Sequence, residues 1–428
     1  MKSIRFEYGK QGLNLKLQPS WNVTIIKPVK QKPLSNPIKS LREAIQYPSG
    51  FPSLHDIIKS KEKIESICIV VSDATRPVPS YLMIDAIIEE LNSNGLENKL
   101  ITILIATGLH HPSNEKEIER IVGEKYYNKV RVVNHIAKDN ESLQYIGDYE
   151  EKIPVLINRL YVESDLKILT GYVEPHFFFG FSGGKKSICP GIAGKETIMA
   201  NHSAKNIASP FSRFGIFESN PMAIMSTEIA KRVGTDFVIN VCINEFHKIT
   251  KIATGDIEKV HRHLVNYQLE HIFKEIDKPF DIVVCGNGGY PLDLNLYQAV
   301  KSMAIGEMAV KEGGTIISVN ECSDGIGIGQ DEFTELLFSG LKPAEIYDKV
   351  LKKEIEVPDQ WEIQVLTRVI KKAEVYVISN LKEDEIGNIG LKYAANVEEA
   401  ISNSLKIHGK DASILILPNG PQILPKLG

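Results

Sequence analysis

The sequence predicts two α/β domains with mainly parallel sheets and an active-site cleft between them. Three observations carry this expectation. From Ser66 to His135, continuous β-branched runs alternate with amphipathic helical periods, the pattern of parallel strands covered on both faces. The same alternation returns with new residues after position 270. The 428 residues, at a prior of roughly 150 per domain, leave room for two or three domains. The expected boundaries are 1–272 for an N-terminal domain and 273–428 for a C-terminal one, with the helical stretch 257–277 as the junction and the last ~20 residues returning to the N-terminal domain.

In order along the chain, IRFEYG and WNVTIIKP read as short strands of a small edge sheet. ICIVVSD is a buried strand, and YLMIDAIIEELNSNG is an amphipathic helix closed by Gly95. LITILIATG is the next strand, EKEIERIVG a helix behind a Ser113-Asn114 cap, and VRVVNH a third strand. After 270, FDIVVCGNGGYPLD is a strand ending in a glycine-rich turn. LYQAVKSMAIGEMAV is a helix, and GGTIISVN, AEVYVISN and ASILILPNG are strands. Ligands of such sheets bind at the carboxyl ends of the strands. Those ends carry Asp73-Ala-Thr75-Arg76, Thr107-Gly-Leu-His110-His111 and Asn134-His135.

Composition narrows the classes. A formal charge of -4 argues against a nucleic-acid surface. Five cysteines without CxxC spacing, most in or beside apolar runs, read as buried thiols of a reducing cytoplasm. The N-terminus MKSIRFEYGK lacks an apolar signal core, and no run approaches the ~20 apolar residues of a membrane span. A cytoplasmic protein that meets neither membrane nor nucleic acid is expected.

Chemistry concentrates in Glu174 to His202, EPHFFFGFSGGKKSICPGIAGKETIMANH. His176 can carry a proton or hold a metal, and His202 follows a short helix-like run. Gly180, Gly183 and Gly184 permit close backbone approach. Lys185 and Lys186 stand where a helix could begin, ready for a phosphate or a covalent link. The segment is not a Walker A loop, because Phe179 stands where its first glycine belongs and Lys186 where its Ser or Thr belongs; nor is it GxGxxG. Arg76 suits a carboxylate, although a structural Asp73–Arg76 turn explains the same residues. His110 and His111 suit acid–base work or a solvated loop. Gln298 and Lys301 share a helix face, as ordinary solvated helices also allow. His247, His261, His263 and His271 lie in polar surroundings and read as surface residues. Trp361 is either core or a pocket wall, and Phe177 to Phe179 read as core packing.

The ordered set SDATRPVPS, ATGLHHP, EPHFFFGFSGGKKSICPGIAGKETI, the following NH, NGGYPLDLNLYQAVKSM and Trp361 resembles the nickel-pincer lactate racemase family, and the resemblance spans most of the chain. It implies a cofactor: nickel(II) held by a pyridinium-3,5-bisthiocarboxylic acid mononucleotide, supplied by biosynthetic partner enzymes and absent from apoprotein. It implies a covalent link at Lys186, a nickel ligand at His202 and an acid–base pair at His110 and His176. It implies substrate contacts at Arg76, Gln298, Lys301 and Trp361, and cofactor contacts at Asp73, Thr75, Tyr297, Gln298 and Lys301.

The implied reaction interconverts the enantiomers of a 2-hydroxy acid, D- and L-lactate first, by reversible hydride transfer through a 2-keto acid, pyruvate. A racemase or epimerase of a larger 2-hydroxy acid (longer aliphatic, malate, aryl or sugar acid) is the alternative within the same chemistry. A free-NAD oxidoreductase lacks its dinucleotide fingerprint. A zinc hydrolase on His110, His111, His176 and His202 lacks its ligand spacing.

Overall fold

The structure, a computed structural model, describes residues 3–150 and 152–428. Met1, Lys2 and Glu151 lie outside the described residues, and with them the start of the segment read for a signal core. Among the described residues, no helix is long and apolar enough to cross a membrane. The chain forms two compact units, Lys30–Leu269 and Met1–Val29 joined with Glu270–Gly428. Each is an α/β unit.

The Lys30–Leu269 unit is built on six strands in the order Ile249–Gly255, Phe237–Ile243, Leu166–Tyr172, Ile67–Ser72, Ile101–Ala106 and Arg131–Asn134. All neighbours are parallel except Ile249–Gly255, which runs antiparallel to Phe237–Ile243. The strand Ile67–Ser72 is central. Its successors Ile101–Ala106 and Arg131–Asn134 extend the sheet to one side, and Leu166–Tyr172 and Phe237–Ile243 extend it to the other. The strand order therefore reverses between Ile67–Ser72 and Leu166–Tyr172, and a doubly wound sheet opens its ligand crevice at that point.

The helices follow from their patterns. Ser80–Ser93 buries Met83, Ile84, Ile87, Ile88 and Leu91 against the sheet and ends before Gly95, at φ 81. Glu115–Val122 starts on a capping box in which Asn114 and Glu117 satisfy each other's backbone N–H groups.

The other unit holds a six-stranded, all-parallel sheet in the order Lys392–Tyr393, Glu374–Ile378, Val310–Val319, Phe280–Gly286, Ser413–Leu417 and Asn22–Ile25. The expected division put everything before 273 in one domain. Here Met1–Val29 groups with the C-terminal part, because Asn22–Ile25 supplies an edge strand beside Ser413–Leu417. Ser3–Phe6 and Leu13–Lys16 form a small antiparallel pair in the same unit, with Ile4, Phe6 and Leu15 in its core. The chain's last strand, Leu424–Leu427, pairs in parallel with Phe273–Ile276 of this unit.

Candidate active site

The carboxyl ends of Ile67–Ser72 and Leu166–Tyr172 deliver the first groups. Asp73 is 5% exposed, and its Oδ1 accepts the Thr75 backbone N–H at 2.7 Å and the Thr75 hydroxyl. Its Oδ2 lies 3.0 Å from His110 Nδ1. Burial works to raise the Asp73 carboxyl, but the His110 ring, the Arg76 guanidinium and the Thr75 hydroxyl outweigh it and hold the group well below the usual carboxylate range. Asp73 is therefore an anion, and His110 donates to it through Nδ1. The other ring nitrogen, Nε2, is left as the proton-accepting end of a neutral His110. The turn bearing His110 is fixed by His110 N–H to Thr107 O at 2.9 Å and by Gly108 N–H to Gly191 O at 2.9 Å.

From Leu166–Tyr172 the chain passes through Glu174, which accepts the Tyr172 hydroxyl, into a tight hairpin of Pro175–His176 with Gly180–Phe181. Gly180, at φ 84, packs so closely that a Cβ there would meet Ile216 O at 2.0 Å, so no other residue fits. Inside the hairpin, His176 Nδ1 accepts the Phe179 N–H at 3.3 Å. A neutral His176 thus carries its proton on Nε2, the tautomer opposite to that of His110. The His176 ring meets Phe178 edge-on at 4.6 Å, and Phe178 meets the His202 ring edge-on at 5.1 Å.

The paired lysines separate. The expected helix start there is a 3-10 turn, Gly184–Ser187, too short for an α-helical N-terminus. Gly183, at φ 78, allows that turn to sit on Asn240, whose Oδ1 accepts Gly184 N–H at 2.7 Å. Lys186 Nζ lies 5.0 Å from the centre of Phe179. Lys185, 8% exposed, turns instead to the Thr227 hydroxyl and the face of Phe217.

His202 closes the helix Lys195–Asn201 and is 5% exposed. Burial, reinforced by Lys186 and by the His110 ring, pushes its ring down to about 3. It is neutral at physiological pH, the form that ligates a metal. Asp73, Arg76, His110, Lys186 and His202 are thus electrostatically coupled, and His176 joins them through Phe178. His111 is not a member: its ring Nδ1 bonds Pro112 O at 2.8 Å in an exposed loop. Among the described residues, no group of three or more His, Cys, Asp or Glu side chains could hold a metal. The zinc hydrolase constellation is thus not assembled. A metal bound through His202 would have to draw its remaining ligands from a bound group.

In the other unit, Leu296–Glu307 starts on an Asn295 cap, with Asn295 Oδ1 accepting Gln298 N–H at 3.0 Å. Gln298 Oε1 accepts from Lys301 Nζ at 2.5 Å, the contact that three-residue spacing on a helix allows. Tyr297 donates to Asp359 Oδ1 at 2.9 Å, and Trp361 Nε1 donates to the Tyr297 hydroxyl at 3.3 Å. Tyr297 and Trp361 are both 7% exposed.

Sequence reasoning missed some residues and misplaced one. Asn240, the anchor of the lysine turn, and Asn220, which bonds Phe178 O at 2.8 Å, went unnoticed. The signal for Asn240 was a lone amide in the apolar strand FVINVCI. His261 is buried at 3%, not on the surface, and its Nε2 bonds Ser182 O at 2.9 Å. It occupies the helix stripe of Leu264, Val265 and Gln268, all buried; that spacing was readable, but the flanking polar residues masked it.

Residues 8–215 match the lactate racemase N-terminal domain, and residues 276–424 match the lactate racemase C-terminal domain. The chain is 35% identical over 387 residues to lactate racemase of Thermoanaerobacterium thermosaccharolyticum, covering 90% of this chain and 89% of that protein. It is 35% identical over 392 residues to lactate racemase of Lactiplantibacillus plantarum, covering 91% of each. The solved lactate racemase apoprotein of Thermoanaerobacterium thermosaccharolyticum superimposes with a TM-score of 0.91 at 33% identity, over 99% of this chain and 100% of that one. A Thermotoga maritima protein shares the fold, with a TM-score of 0.69 at 20% identity over 91% of this chain and 98% of that one. With both domains matched and two relatives aligned along nearly its whole length, the chain belongs to the lactate racemase family and is an isomerase of the racemase type.

Proposed function

We propose that this racemase interconverts the enantiomers of lactate through pyruvate, using His110 and His176 as an acid–base pair. The relatives, both lactate racemases, support the substrate. The observation that carries the chemistry is the different partner each ring meets at Nδ1, the Asp73 carboxylate for His110 and the Phe179 N–H for His176. His110 donates its Nδ1–H to the Asp73 carboxylate and keeps Nε2 as a base, while His176 serves as the acid as an imidazolium, for which its Nδ1 releases the 3.3 Å contact with the Phe179 N–H. Racemisation needs both functions, because each enantiomer must lose its hydroxyl proton and each product must regain one.

Removing the C2 hydrogen of lactate as a proton would build a dianion beside the carboxylate. Removing it as a hydride leaves a neutral, planar ketone, and return of hydride to the opposite face inverts the centre. Side chains of the twenty amino acids do not accept hydride. A nickel-bearing pyridinium nucleotide, when bound, supplies that acceptor, with Lys186 as its covalent anchor and His202 as the protein ligand to nickel. A neutral, buried His202 and a lysine beside it fit both roles.

Arg76 is assigned to the substrate carboxylate, which a guanidinium can hold through two parallel hydrogen bonds. Asp73 and Thr75 hold the turn that bears Arg76 and set the His110 tautomer. Tyr297, Gln298 and Lys301 are assigned to the anionic groups of cofactor and substrate, and Trp361 to the wall of the substrate pocket. Supply of the cofactor by partner biosynthetic enzymes, in the cytoplasm, belongs to the same proposal.

The test is protein co-produced with those enzymes, analysed for intact mass and nickel, then given single enantiomers of lactate, malate and an aryl 2-hydroxy acid. A mass increment on the Lys186 peptide, nickel near one per chain and fastest racemisation of lactate are expected. An increment on Lys185, or racemisation without nickel, would overturn the assignment; preference for another acid would replace the substrate alone.

A further inference from the structure

A cavity of about 480 Å³ opens beside Lys185, wholly within the Lys30–Leu269 unit. One wall is the helix Pro221–Val233, with Ile224, Thr227 and Ala230; the other is the start of the helix Ile257–Ile272; Phe217 lies between them. His110, His176, Lys186 and His202 do not line it.

The charges around this cavity are matched with one exception. Glu218 pairs with Arg262 at 2.8 Å, Glu258 with Lys231 at 2.9 Å, and Glu228 with Arg232. Lys185 has no carboxylate within ion-pair distance among the described residues. Its amine donates to the Thr227 hydroxyl, which itself donates to Ala223 O at 2.7 Å, and it lies 3.9 Å from the centre of Phe217. The remaining titratable neighbour, His261, is neutral: burial pushes its ring down to about 3, and its Nε2 bonds Ser182 O.

A buried ammonium without a counter-ion is unstable. It has two ways out, losing its proton or acquiring an anion. The first is visible in the amine itself. Burial pushes Lys185 down to about 7, with Lys231 and Arg262 pressing the same way and Glu258 opposing them. The second requires a ligand that fits the cavity.

We propose that this cavity is a second ligand site, taking a small organic monocarboxylate with its carboxylate on Lys185 Nζ and its apolar body against Phe217, Ile224 and Ala230. One unmatched cation suits a single negative charge. A dianion such as phosphate would need a second cation, and Lys231 and Arg262 are already paired. The apolar walls favour a carboxylate that carries hydrocarbon. The class includes 2-hydroxy acids and 2-keto acids, so substrate or product at high concentration can occupy a position outside the residues assigned to catalysis.

The test is calorimetric titration of the full-length apoprotein with benzoate, with L-lactate as second probe and inorganic phosphate as control. Saturable one-to-one binding of benzoate at pH 6 is expected. Affinity should fall about tenfold per pH unit once the pH exceeds the amine's own titration point, because the proton that binds the anion is then missing. Lys185→Met should abolish binding. Ile224→Trp, which fills the cavity from a half-exposed helix position without touching the amine, should abolish it too and carries the test if Lys185→Met does not fold. His110→Ala should leave binding intact. Loss of binding in His110→Ala, persistence in Ile224→Trp, equal affinity for phosphate, or no saturable binding in the millimolar range would each overturn the proposal. None of these outcomes bears on racemisation itself, which is read on cofactor-loaded enzyme.

Discussion

The carboxyl ends of the parallel strands in the two sheets use one architecture for opposite purposes. At the edge of the Lys30–Leu269 sheet stand Asp73, Arg76, His110, His176, Lys186 and His202, and the charge of one moves the titration of the next. At the edge of the other sheet, the buried groups are small and mostly neutral. Asn320 donates to Ser318 at 2.7 Å and to Ser302 at 3.0 Å, the two hydroxyls meet at 2.8 Å, and Cys285 donates to Ser302 O at 2.8 Å. The buried acid Asp293 is raised by burial and is tied to the Gly9 and Glu321 N–H groups. Such an edge holds a loop in place, whereas the first sets titratable groups where they act on one another. The difference lies in whether titratable groups are left within reach of each other, not in the sheet.

The sharpest way to break this comparison is to remove a base. His110→Ala and His176→Ala should each lower racemisation of loaded enzyme by roughly 10²–10⁴-fold in both directions, measured from each pure enantiomer. Near-normal rates in either variant would end the two-base reading. Asp73→Asn should cost less, roughly 10–100-fold, matching the ~1.5–3 kcal/mol of a hydrogen bond to a charged group. It should also shift the pH–rate profile, since the His110 tautomer is no longer set by an anion; an unmoved profile would show that Asp73 acts only on the turn.

At the other edge the expectation is reversed. Asn320→Ala should destabilise the fold by about 1–3 kcal/mol through the stranded hydroxyls, seen in thermal unfolding, while turnover per folded molecule stays the same. A large loss of turnover with unchanged melting would move that edge into the chemistry.

The smallest effect per group concerns acid. Burial pushes His135 down to about 4, and His202 and His261 to about 3. Their folded values lie below the ~6.5 of an unfolded ring, so the unfolded chain takes up protons first. Stability is full above that value and is lost as pH falls from ~6.5 toward 4, by up to ~1.4 kcal/mol per pH unit for each ring. All three rings belong to Lys30–Leu269. Hydrogen exchange at pH 5 should therefore accelerate in this unit before the other; uniform acceleration would contradict the assignment.

Much of this was legible because it is local. ICIVVSD and LITILIATG announce buried strands by composition, and their ends announce the polar groups of the site. Leu166–Tyr172 was harder to see, since LKILTGY runs into the motif block without a turn to delimit it. The membership of Asn22–Ile25 in a sheet with Ser413–Leu417 leaves no local mark at all, because register between distant segments is decided by packing. The opposite tautomers of His110 and His176 were likewise hidden: each depends on a partner atom, Asp73 Oδ2 or the Phe179 N–H, whose direction only the folded backbone sets.

That long-range pairing has a consequence during synthesis. The Lys30–Leu269 unit is continuous in the chain, so its sheet is complete in sequence well before the protein is finished. Asn22–Ile25 is made first and must wait for Ser413–Leu417, nearly the last strand to be made. At ~5–20 residues per second the wait is on the order of tens of seconds. Throughout it the nascent chain carries an early strand whose neighbour does not yet exist, and a ribosome that stalls short of Ser413 leaves that strand without its place in the sheet.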